Sequence, residues 1–239
     1  MSQISEDQII ANSYQFFLKL FNDKAKAYRK KKVKSFTANP FTMQATAKTI
    51  SNTIDADSIA KAIVYPFVLG TSISTSFGTK TQEFIVTALG DSINGSTTTG
   101  MDIEYTDVVD ERRKYCQIKA GPSTINKDDV ETIENHFNNL VALGRANHLN
   151  IGMSDRVVGV LYGKPNELSH MYCKLINHGY VVLTGQEFWY HLTGYHDLYN
   201  KLIDTACKAA TQSIIKTSAD ELTSRVKQDI IAYPDKYGL

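Results

Sequence analysis

The chain of 239 residues carries 26 Lys and Arg against 25 Asp and Glu, a formal net charge of +1. With 42% hydrophobic and 21% charged residues it has the make-up of a globular protein with a substantial core, which excludes disorder over the whole length. Near-neutrality means that any surface for a polyanion comes from local clustering of basic residues, not from global basicity. Three cysteines, Cys116, Cys173 and Cys207, form no even framework and no paired metal spacing, so a reducing compartment is expected.

The opening residues MSQISEDQII are polar and acidic, without a basic stretch ahead of an apolar one, so no secretory signal is expected. No run approaches the roughly 18 apolar residues of a membrane span. The expected location is cytoplasmic, with no membrane partner. Over residues 7–32, Ile10, Tyr14, Phe17, Leu18 and Phe21 recur at helical spacing. This helix runs into a basic segment, Lys24, Lys26, Arg29, Lys30, Lys31, Lys32 and Lys34, before Asn39-Pro40 breaks the pattern. Helices are expected over 41–50 and 57–70, the second kinked or interrupted at Pro66. Residues 1–70 thus read as all-helical.

Composition changes at Thr71, where the small polar residues of TSISTSFGTK lead into a short amphipathic helix in TQEFIVTALG. A Gly/Ser/Thr turn over 94–100 precedes two strand-like runs, 101–109 and 114–120, joined by the charged turn 110–113 as a hairpin. Gly121-Pro122 ends the second strand. Asp128 and Asp129 open a helix reaching about Asn147, with Val130, Ile133, Phe137, Leu140 and Val141 on one face. RVVGVLY (156–162) and YVVL (180–183) have the β-branched, apolar look of buried strands, and helices over 185–192 and 197–216 follow. The expected fold is α/β: a mixed β-sheet flanked by helices, with helical additions at both ends. Residues 71–239 form the main domain and 1–70 a helical region.

Chemistry concentrates in GMDIEYTDVVDERRKYCQIKAGP. Alternation sets Asp102 and Glu104 on one face of the first strand, and Gln117 and Lys119 on one face of the second, while Cys116, Ile118 and Ala120 point the other way. Paired strands bring an acid, an amide and an ammonium within side-chain reach. An ammonium in an apolar strand requires a nearby anion. The Asp102 carboxylate, the Gln117 amide oxygen and the Ile118 main-chain carbonyl are oxygen donors suited to a hard cation such as Mg2+. Such an ion polarises a phosphoryl oxygen and lowers the pKa of a bound water, and Lys119 orients that water or offsets charge developing on phosphorus. The bland reading of the same residues is a structural ion pair on a hairpin.

Asp102, then fourteen residues, then Gln117-Ile118-Lys119 resembles the PD-(D/E)XK nuclease superfamily, best known in type II restriction endonucleases, in its D…QxK variant. Gln117 stands where a carboxylate is commonest, which removes a negative charge from the metal site. Glu83, on the helix before the strands, matches the position from which many of these enzymes add an acid, and Glu104 is the other candidate. The order of elements over residues 71–195 is similar too, as is the Gly-Pro turn that leads toward DNA in QIKAGPSTINKDDVETI. TGQEFWYHLTG resembles a closing segment of such enzymes. The resemblance implies a type II site-specific deoxyribonuclease: a sequence-specific double-stranded DNA endonuclease that hydrolyses phosphodiester bonds with Mg2+ in a restriction–modification system, as a homodimer. Its implied catalytic residues are Asp102, Gln117, Lys119 and Glu83, with Asp102, Gln117, Ile118, Glu83 and Glu104 as metal ligands.

Ser123, Asn126 and Lys127, just past Lys119, are candidates to meet DNA, as are Arg29, Lys30, Lys31 and Lys32; a turn with an N-cap and a solvated helix end account for them nearly as well. The helical region 1–70 is assigned dimerisation or DNA wrapping. The alternatives are a repair or modification-dependent nuclease of the same fold, and an inert DNA-binding module. GDSINGST has phosphate-loop glycine spacing but no Lys, and His170, Cys173 and His178 lack a fourth ligand; both motifs are set aside, and His136 is read as structural.

Overall fold

The computed structural model describes residues 4–36 and 39–239. Helix α1, Glu6–Lys30, has Glu6 and Asp7 in its first turn and Arg29 and Lys30 in its last, which complements the helix dipole at both ends. Asn39 starts α2, Pro40–Ser51, by accepting the Phe41 N–H, and Asp55 starts α3, Ala56–Tyr65, through a capping box with Ser58. Pro66 does not break the helical path. A wide π-type turn, Pro66–Ser72, carries the chain into α4, Ile73–Gly78, where a polar lead-in was expected. Pro66 has the helical φ that proline favours and offers no N–H, and the turn that follows it widens to the π type.

Next come α5, Thr81–Leu89, the two-residue β1, Asn94–Gly95, and the hairpin strands β2, Ile103–Thr106, and β3, Arg113–Lys119. Then follow α6, Lys127–Ala146; β4, Arg156–Val160; α7, His170–Asn177; β5, Val181–Thr184; and α8, Gln186–Thr193. The last helical stretch is two helices, α9, Leu198–Gln212, and α10, Ile215–Ala232. Ser213 punctuates them: its Oγ donates to the Ala210 carbonyl at 2.7 Å and accepts the Ile215 N–H at 3.3 Å.

The strands form one mixed sheet in the order β1-β2-β3-β4-β5, antiparallel from β1 to β3 and parallel from β3 to β5. Helices flank it, as the patterning predicts. On one face Tyr115, Val158 and Val160 pack with Ile133, Phe137 and Leu140 of α6 and Tyr172 and Leu175 of α7. On the other, Phe188 of α8 lies where a Gly159 side chain would be, and Trp189 meets Phe84 of α5 edge-on at 5.6 Å. Covered on both faces, β4 is buried along its whole length, which is why it reads as a continuous apolar run.

Gly185 turns the chain from β5 into α8 at φ +54°, and a Cβ there would overlap the Gly163 carbonyl oxygen. Gly185→Ala is therefore expected to cost about 2–3 kcal/mol, from backbone strain plus overpacking. That lowers the thermal midpoint by roughly 5–10 °C; an unchanged midpoint contradicts this packing.

The chain divides into two compact units. Residues 4–16 and 78–206 make the first, which holds the sheet; residues 17–77 and 207–239 make the second, which is helical. A single cut at residue 70 does not describe this grouping, because α10 joins the helical unit. There Leu222, Val226 and Ile230, four residues apart on one stripe, pack with Tyr28, Met43, Ala47, Ile59 and Val64. The Arg225 guanidinium donates to the Tyr28 and Lys31 carbonyls at 2.6 and 3.0 Å, satisfying acceptors that the end of α1 leaves open. No helix among the described residues is long and apolar enough to cross a membrane.

Candidate active site

Pairing between β2 and β3 ends at Ile103 and Cys116, and β3 runs on beyond it. The Asp102 N–H still donates to the Cys116 carbonyl at 2.9 Å, which holds Asp102 against the extension of β3. Two residues on, the Ile118 N–H points to the same side, finds no strand, and donates to Asp102 Oδ2 at 2.6 Å. Strand alternation sends the Ile118 carbonyl to that side as well. The other oxygen, Asp102 Oδ1, accepts no hydrogen bond among the described residues.

Gln117 and Lys119 lie on the sheet face covered by α6, as alternation predicts. Gln117, 5% exposed, donates from Nε2 to the Ile133 carbonyl at 3.5 Å, leaving its Oε1 without a donor among the described residues. Lys119 Nζ lies 3.7 Å from Asp129 Oδ1. The His136 ring occupies the space that a side chain on Gly100 would need, and Gly100 sits at φ +83°, a conformation that favours glycine. Asp129, Ile133 and His136 share one face of α6, so one helix tracks the three motif residues along the strand end.

Burial pushes the Asp102 carboxyl up from its ordinary value, against the opposing pull of the Ile118 N–H and the charges of Lys119 and His136. A carboxyl whose pKa rises on folding weakens the fold at neutral pH. That loss is relieved as pH falls from the raised value to the ordinary one. Asp102→Asn keeps an acceptor for the Ile118 N–H and removes the half-buried charge, so the metal-free variant is expected to melt higher than wild type at pH 7. The difference should vanish in acid; a lower midpoint at pH 7 contradicts it.

The donor set at this strand end is all oxygen: the Asp102 carboxylate, the Gln117 amide and the Ile118 carbonyl. A half-buried carboxylate with one oxygen unused fits a hard cation, which offsets the charge that partial burial disfavours. Glu83 and Glu104 do not complete a carboxylate cluster, and among the described residues no three His, Cys, Asp or Glu side chains gather as a metal-holding group. Glu83 pairs with Lys80 on the exposed side of α5. Helix α5 reaches the site through the preceding residue instead, Gln82 Nε2 donating to the Asp102 carbonyl at 2.7 Å. The Glu104 carboxylate takes Ser96 Oγ, Thr98 Oγ1 and the Arg113 guanidinium.

Ser123 is exposed in the turn after Pro122, Asn126 caps α6, and Lys127 is exposed 4.0 Å from Glu131. Arg29, Lys30, Lys31 and Lys32 belong to the helical unit, where Arg29 pairs with Glu221 at 2.9 Å and Lys31 lies over the Phe67 ring.

A model of the family described as type II restriction endonuclease EcoO109I matches residues 6–213. The chain belongs to the EcoO109I family. Among curated proteins, none matches it. The EcoO109I match takes in α1 to α9 and all five strands, and so includes Asp102, Gln117 and Lys119; α10 follows the matched span. Membership in the EcoO109I family makes the chain a type II restriction endonuclease at family level. In this EcoO109I-family chain, sequence reasoning passed over Gln82 and Asp129. Gln82 carried no signal, and Asp129 carried one that was read only as a helix start.

Proposed function

We propose that this chain is a Mg2+-dependent, sequence-specific double-stranded DNA endonuclease of a restriction–modification system, with Asp102, Gln117 and Lys119 as its active site. The supporting observation is the Asp102 carboxylate seated on the Ile118 N–H, at the strand end that also carries Gln117 and Lys119. Asp102, the Gln117 amide and the Ile118 carbonyl would hold the ion, and Glu83 or Glu104 would join them only by leaving their present partners. A divalent cation held there supplies Lewis acidity toward a phosphoryl oxygen and acidifies water. Lys119 meets the non-bridging oxygens of the scissile phosphate, orients the attacking water and offsets charge developing on phosphorus. Asp102 binds, and Gln117 is anchored through Ile133 so that its oxygen stays on the site side. This chain's contribution is mostly placement, the larger part of phosphodiester catalysis.

Ser123, Asn126 and Lys127 lie past Lys119 on the same strand exit and are assigned to the DNA backbone. The helical region 1–70, with Arg29, Lys30, Lys31 and Lys32, is assigned dimerisation or DNA wrapping, since a twofold enzyme needs two active sites to cut both strands. The exposed apolar residues Phe41, Ile50, Ile54 and Leu69 support the first of these roles.

The test is plasmid DNA with the pure protein and Mg2+, followed by run-off sequencing of the ends. Discrete cuts at one recurring sequence, abolished by chelator, are expected. Cutting without site preference, or only of modified DNA, favours the repair or modification-dependent alternative. No cutting with Mg2+ or Mn2+ leaves an inert DNA-binding module.

A further inference from the structure

Lys119 has four rotatable side-chain bonds and is only partly enclosed, with 24% of its side chain exposed. Two carboxylates lie within its influence. Asp102 feels its charge, yet the two make no ion pair; among the described residues the only carboxylate within 4.0 Å of Lys119 Nζ is Asp129. We infer that Asp129 is a positioning residue: it holds the Lys119 ammonium on the α6 side of the strand end and away from the Asp102 carboxylate. The inference rests on the nuclease reading given above.

The hold is built from the helix cap. Asp129 Oδ2 accepts the Asn126 N–H at 2.9 Å, while Asn126 Oδ1 accepts the Asp129 N–H at 3.0 Å. This reciprocal cap fixes the carboxylate plane, so that Oδ1 is the oxygen presented to Lys119. Helix α6 is itself registered on β3 one turn further along, where the Ile133 carbonyl accepts from Gln117 Nε2. The spacing between Asp129 and Lys119 is thus set by rigid elements, not by a loop. An ammonium that paired with Asp102 would occupy the oxygen a cation needs. Asp129 gives it another partner, and leaves Asp102 Oδ1 open and the ammonium placed to meet phosphate.

The cap and the charge can be separated. Asp129→Asn keeps an oxygen for the Asn126 N–H and loses the charge; Asp129→Glu keeps both, Glu being the usual residue at this capping position. Each variant is compared with wild type in single-turnover cleavage of a duplex carrying the recurring site, in DNA affinity by fluorescence anisotropy without metal, and in thermal midpoint.

Asp129→Asn is expected to cut about 10- to 100-fold more slowly, the scale of a small misplacement of a catalytic group. Its DNA affinity should match wild type and its midpoint stay within about 4 °C. Asp129→Glu should recover most of the rate. Asp129→Asn cutting at the wild-type rate overturns the inference, as does a slow Asp129→Glu, or a rate that falls only in step with the midpoint. Wild type that cuts while Lys119→Ala is dead keeps the nuclease reading intact through any of those failures. A wild type that cuts nothing, or a Lys119→Ala variant that cuts as well, overturns both.

Discussion

Single-turnover cleavage is expected to fall about 100- to 1,000-fold or more in both Asp102→Ala and Lys119→Ala, the range seen when one preorganised electrostatic group is removed from a transition state. DNA affinity should change little, because many phosphate contacts share that energy. The two losses have different origins. Asp102→Ala removes the carboxylate seated on the Ile118 N–H and leaves that N–H without its acceptor, at a stability cost of about 1–3 kcal/mol. Asp102→Asn avoids that cost and should be equally inactive, so the pair separates chemistry from folding. Lys119→Ala removes an ammonium whose only close partner among the described residues, Asp129, stays exposed enough to be solvated; its fold should be nearly intact. Lys119→Arg should not rescue, since a planar fork on a longer stem presents its charge elsewhere. A near-wild-type rate in either Ala variant removes these residues from the active site.

The largest expected loss of stability lies at the other end of the hairpin. Lys114, 3% exposed, donates to the Ser154 carbonyl at 3.0 Å, pairs with Asp110, and lies 3.9 Å from both Asp107 and Asp155. Arg112 Nε also binds Asp155, at 2.7 Å, and His191 Nδ1 lies 2.7 Å from Asp107. Removing the central ammonium leaves buried carboxylates undercompensated, so Lys114→Ala should cost about 3–5 kcal/mol, which is a drop of about 10 °C or more in thermal midpoint. The Arg112 hydrogen bond, against some desolvation and with help from the Gly152 N–H and the charges of Arg112 and Lys114, holds the Asp155 carboxyl below its ordinary value. Its contribution is present above the ordinary carboxylate range and lost as pH falls through the lowered value. The gap between wild type and Lys114→Ala should therefore be widest at neutral pH and narrow in acid. Equal midpoints at pH 7 would mean the network is solvated and contributes nothing measurable.

The same hairpin shows what was legible in the residues and what was not. Alternation alone separates Gln117 and Lys119 from Cys116 and Ile118, because a strand has only two faces. The cap residues and apolar spacing define α6, and the β-branched runs give β4 and β5. The Asp102–Ile118 hydrogen bond is not readable, because it depends on β2 ending its pairing three residues before β3 stops. Asp129 was legible as a helix start but not as the partner of Lys119, since that needs the packing of α6 on the sheet. Glu83 and Glu104 drew attention as extra acids, yet Lys80 and Arg113 lie close by in sequence or across the hairpin and take them first. Helix α10 was hidden by its narrow stripe, Leu222, Val226 and Ile230 among polar neighbours, and by the missing Gly or Pro break before it. Its place in the helical unit comes only from long-range packing.

The central claim is that Asp102, Gln117 and Ile118 offer their oxygens to one divalent ion beside Lys119. Anomalous diffraction from crystals of the protein soaked in Mn2+ tests it directly. One peak within coordination distance of the Asp102 carboxylate, the Gln117 amide oxygen and the Ile118 carbonyl is predicted, lost in Asp102→Asn. Strong binding elsewhere with this strand end bare contradicts the account.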